Sequence, residues 1–76
     1  MTIEERVISV VSEQLNISKD EIKSDSQFVE NLGLDSIDVV SLIMAFETEF
    51  GIDIPDEEAE MIQTVGQTID YIKKHL

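Results

Sequence analysis

The sequence predicts a small all-α fold, a four-helix bundle with three main helices, one short helix and a long loop between the first two. Three observations support that prediction. Apolar residues recur at helical spacing in three separate segments, and no segment alternates polar and apolar residues as a strand would. Cap-type residues stand where those segments begin or end. Finally, 76 residues with no cysteine and 42% hydrophobic content read as one domain, 1–76, folding on an aliphatic core without disulfides or thiolate metal sites.

In the first segment Ile3, Val7, Val10, Val11 and Leu15 fall on one helical face, starting at Thr2 or Ile3 and stopping near Asn16. Ser18, three residues before Glu21, has capping-box spacing for at most one turn. Ser24 to Leu34 reads as a long loop anchored by Phe28, Leu32 and Leu34, and loops of that length are often functional. The second helix is expected from about Ser36 to Phe50. Asp35 suits its N-cap, Asp38 favours the positive end of its dipole, and Gly51 suits its close. Val39, Leu42, Ile43, Phe46 and Phe50 form its core stripe. A second stripe, Ile37, Val40, Met44 and Glu47, is hard to bury in so short a chain and is therefore available to a partner.

Pro55 requires an extended Ile54. A short acidic helix follows, from Asp56 to about Met61, with Ala59 and Ile62 facing inward. Thr64 and Gln67 form a capping box for the last helix, whose apolar stripe is Val65, Ile69, Ile72 and Leu76. Lys73, Lys74 and His75 complement the C-terminal end of its dipole. Gly66 should loosen its start by roughly 1 kcal/mol relative to Ala.

Seventeen acids against five Lys and Arg give a formal net charge of −12. From Ser24 through Ile72 the chain has acids but no Lys or Arg at all; Arg6, Lys19 and Lys23 precede that stretch, and Lys73 and Lys74 follow it. A nucleic-acid binder needs the opposite sign. The middle of the chain is suited to basic partners, and self-repulsion favours a monomer stabilised by salt or divalent ions. No apolar run approaches the roughly 20 residues of a membrane span, and Met1 leads into polar "TIEER", so the sequence reads as cytoplasmic.

Catalysis by Ser–His–Asp fails on inventory, since His75 is the single histidine and lies in a basic tail. So small a bundle leaves little room for the pocket that would tune a carboxylate pair. Asp53, Asp56, Glu58 and Glu60 do not have the spacing of an EF-hand loop, so loose divalent binding is expected there and a structural metal site is not. Ser36 stands out for a different reason. It lies between Asp35 and Asp38 in "NLGLDSIDVV", at a helix start whose free N–H groups favour an attached phosphate. Asp35 takes the capping role, which leaves the hydroxyl free. The flanking acids would repel a phosphate and make better sense as lures for Mg²⁺ or a basic modifying enzyme.

The stretch "GLDSIDVVSLIMAFETEFGIDIPDEEAE" closely resembles acyl carrier proteins of dissociated (type II) fatty acid synthesis, and the likeness covers essentially all 76 residues. Its centre is the Asp-Ser-(Leu/Ile)-Asp motif, here Asp35-Ser36-Ile37-Asp38. The resemblance implies that the protein is no enzyme itself: Ser36 accepts a covalent phosphopantetheine arm from coenzyme A through a phosphopantetheinyl transferase. The arm's thiol then carries fatty acyl chains as thioesters. It implies partners with basic patches, the enzymes of fatty acid synthesis. These would read Asp35, Asp38, Glu47, Asp56 and Glu60, with Ile37, Val40 and Met44 as apolar contacts. It also implies an acyl pocket drawn from Phe28, Val39, Leu42, Ile43, Phe46, Ile54, Ile62 and Ile72, each of which is more simply read as ordinary core; both hold if the core opens to admit the chain. Ile37, Ser41, Thr48 and Met61 depart from the usual pattern of the family. An unmodified acidic adaptor and a divalent-cation buffer are the alternatives from other classes, and neither would need the Ser36 hydroxyl.

Overall fold

The computed structural model of the chain describes residues 2–76. Helix α1 spans Ile3–Leu15, α2 Ser36–Phe50, α3 Asp56–Ala59 and α4 Val65–His75, with one 3₁₀ turn at Lys19–Glu21 after α1. Among the described residues there is no strand; Gln27 and Thr64 form an isolated antiparallel bridge.

Local chemistry explains each boundary. Thr2 caps α1 in a reciprocal box with Glu5, a Thr-x-x-Glu signal beyond the bare start expected there, and Asn16 ends the helix in the left-handed conformation (φ 55°). Asp35 and Asp38 form a second box at α2, so Asp38 does more than face the dipole: its carboxylate also accepts the Asp35 N–H. Gly51 ends α2 at φ 65°, as a C-terminal glycine should. Thr64 and Gln67 cap α4 as the spacing predicts.

Two expectations need correction. Ser18 and Glu21 do not form a box: the Ser18 hydroxyl accepts from the Asp20 N–H, and the chain makes a single tight turn. Helix α3 ends at Ala59 and does not reach Met61. Its chain tightens there, with Met61 N–H bonded to Glu58 O and Ile62 N–H to Ala59 O, each three residues back. That turn carries Ile62 into the core.

The core is aliphatic around Phe28 and Phe46, with Val7, Val11, Leu42, Val65 and Ile72 fully enclosed. Helix α1 is the element that both α2 and α4 approach closely, so the bundle is tightest on that side. The loop before α2 is tied to the start of α4 by three backbone bonds: Phe28 N–H to Gln63 O, Val65 N–H to Ser26 O, and Gly66 N–H to Ser24 O at 2.7 Å. A Cβ at Gly66 would lie 2.9 Å from that Ser24 carbonyl oxygen. Gly66 is therefore required by a close backbone approach, and the looser helix start is the accompanying cost.

Candidate functional site

Ser36 is the first residue of α2 and is exposed. The capping oxygens are those of Asp35 and Asp38, with Asp35 Oδ1 accepting the Asp38 N–H at 2.9 Å, so the Ser36 hydroxyl stands outside the cap. It lies at the edge of an open groove of about 400 Å³ whose apolar lining includes Phe28, Val39, Ala59 and Ile62. A second groove of about 480 Å³ adjoins it along α2, lined by Val39, Val40, Ile43, Met44, Ile54 and Ala59, with Glu47, Asp56 and Glu60 around it. Neither groove is lined by a Lys or Arg.

The second stripe of α2 is left open: Ile37 is 74%, Val40 59% and Met44 60% exposed. Asp35 and Asp38 are exposed beside Ser36, and Asp56 and Glu60 are exposed on α3 and the turn after it. Glu47 is half-buried, and its Oε2 accepts the Ile54 N–H at 2.9 Å. The fold thus brings Val40, Met44, Glu47, Asp56 and Glu60 around one groove, while Asp35, Ile37 and Asp38 cluster at the first turn of α2.

Of the residues expected along an acyl chain, Phe28, Val39 and Ile62 line the first groove, and Val39, Ile43 and Ile54 the second. Leu42, Phe46 and Ile72 line neither and are closed in the core. Ala59, read only as an inward residue of a short helix, lines both grooves. No sequence signal marks that role, which depends on how α3 sits against α2. Among the described residues, no three carboxylates or imidazoles are grouped to hold a metal ion.

A family model described as a phosphopantetheine attachment site matches residues 5–72. The chain belongs to this family. Its members carry phosphopantetheine covalently on a serine, and the four helices, with no strand among the described residues, fit the small helical bundle of such carriers. Tyr71 donates to Glu58 Oε2 at 2.8 Å, and its ring stacks on His75 with centroids 4.1 Å apart. Burial first, then the hydrogen bond to Glu58 and that carboxylate's charge, push the Tyr71 phenol up to about 12.

Proposed function

We propose that this carrier is an acyl carrier protein of dissociated fatty acid synthesis, with Ser36 as the attachment serine. The observation that supports Ser36 is its exposed hydroxyl at the start of α2, outside the cap and at the edge of an apolar groove. The residues fit the group: the hydroxyl is open to a transferase, the helix start favours the phosphate of the linkage, and the exposed Asp35 and Asp38 that oppose that phosphate would draw the Mg²⁺ and the basic transferase that deliver it. When attached, phosphopantetheine supplies the terminal thiol that holds acyl cargo as a thioester. The chain's own residues attach, present and shelter. Asp35 and Asp38 fix the first turn and so hold Ser36 in place. Ile37, Val40 and Met44 offer an apolar docking surface, and Asp56 and Glu60 add charge that draws basic partners.

The fatty acid assignment has the acidic face of α2 and α3 as its support, together with grooves whose mostly apolar walls suit an alkyl chain better than an aminoacyl group. The protein acts as a monomer, since a net charge of −12 opposes self-association. Intact-protein mass spectrometry after incubation with coenzyme A, Mg²⁺ and a broad-specificity phosphopantetheinyl transferase tests the attachment. Wild type should gain the mass of one phosphopantetheine and Ser36→Ala none. A folded wild type that gains nothing would overturn the reading. Elongation of the loaded carrier by a type II fatty acid ketosynthase then tests the pathway.

A further inference from the structure

Helix α3 is weakly held by its own chemistry. It is four residues long, its N-cap position is Pro55 with no side-chain hydrogen bond, and none of Asp56–Ala59 is buried. Ala59 packs against the core, and two carboxylates tie the segment to the neighbouring helices. On one side Tyr71 of α4 donates to Glu58. On the other, Glu47 of α2 accepts the N–H of Ile54, the residue before Pro55 at the entry to α3. Ile54 is buried and forms part of the second groove, and Glu47 stands half-buried along the same groove. The segment fixed in this way supplies Ala59 and Glu60 to both grooves.

We propose that Glu47 is a positioning residue that couples docking on α2 to the opening of the second groove. A basic side chain arriving at this acidic face meets Glu47 together with Asp56 and Glu60. A guanidinium engages both oxygens of a carboxylate in charge-assisted bonds, which are stronger than a bond from a neutral amide. Glu47 turns to the cation, and the Ile54 N–H loses its acceptor. A backbone donor without a partner must reach water. It does so by moving outward with Ile54 and the start of α3, which widens the groove at the Ile54 wall. The nature of the basic partner rests on the carrier reading; the bond between Glu47 and Ile54 does not.

Amide hydrogen exchange read by NMR on the full chain tests this. The Gly51 amide, which donates to the Glu47 backbone carbonyl at 2.9 Å, is the internal reference. Glu47→Ala should raise Ile54 exchange by about tenfold relative to Gly51. Glu47→Gln keeps an acceptor oxygen and should change it by less than about threefold. A hexa-arginine peptide should accelerate Ile54 exchange several-fold in wild type and leave Glu47→Gln unmoved. Unchanged exchange in Glu47→Ala would overturn the bond's role. A peptide that has no effect on wild type, or the same effect on wild type and Glu47→Gln, would overturn the coupling. None of these readouts involves Ser36, so failure of the carrier reading would show separately, as no mass gain on treatment with coenzyme A and transferase.

Discussion

At position 66 two physical rules disagree, and distance decides between them. Helix propensity says that Ala in place of Gly66 would stabilise α4 by roughly 1 kcal/mol. The Ser24 carbonyl oxygen, 2.9 Å from where the Cβ would sit, says the opposite, because backbone on both sides has no rotamer to yield. Gly66→Ala should therefore lose about 1–3 kcal/mol of stability by urea denaturation, and a gain would show that the loop gives way. Nothing near Gly66 in sequence reveals Ser24, forty-two positions earlier. Asp35 and Asp38 are the contrary case. Their Asp-x-x-Asp spacing is that of a box, but an acid at position 38 also suits the helix dipole without any reciprocal bond, so spacing does not separate the two. Ser36 was legible because its neighbours account for the cap, so its hydroxyl was surplus from the start.

The helices that could be read from the sequence are those with a stripe and a clear signal at one end. Helices α1 and α2 end on left-handed Asn16 and Gly51, and α4 opens on a complete box. Helix α3 has neither a side-chain cap nor a stop residue, so its length is set by contacts with its neighbours. One of those contacts has a clear pH signature. The Tyr71 phenol, raised from 10.0 to about 12, holds its proton more tightly in the folded state than in the unfolded chain. The resulting stability is complete below pH 10 and is lost as pH rises towards 12. Urea titrations from about pH 9 to 12 should show wild type more stable than Tyr71→Phe by about 1 kcal/mol at the lower end. That advantage should close across the window. A gap that stays constant would mean that the phenol holds its proton no more tightly in the folded chain than in the unfolded one.

Over the whole molecule the separation of charge is sharper than the sequence suggests. Arg6 is drawn to the end of α2, bonding Glu49 Oε2 at 3.1 Å and its carbonyl at 2.9 Å while lying 4.5 Å over the Phe50 ring. Lys73 pairs with Glu4 at 3.0 Å. Two of the five bases are thus engaged with α1 or the far end of α2, and the face around both grooves is left acidic. Mutual repulsion there should be relieved by ions, so the melting temperature should rise with NaCl and more steeply with Mg²⁺. A gain of about 1 kcal/mol would appear as about 4–8 °C in a domain of this size; a flat response would show that these carboxylates do not oppose folding. Among the described residues no helix is long and apolar enough to cross a membrane. The net charge was legible from counting, whereas the grooves were not, because they arise where α3 meets α2 through contacts absent from any local pattern.

Val39 and Ala59 border both grooves. The two compartments therefore share a party wall, and neither can be remodelled alone from those positions. A larger side chain at residue 59 would narrow the space beside Ser36 and the space beside Met44 in a single step. Sequence drift at that position is answerable to two tenants at once, and an engineer who wants to resize one compartment has to work from the outer walls, at Phe28 and Ile62 or at Ile43 and Ile54.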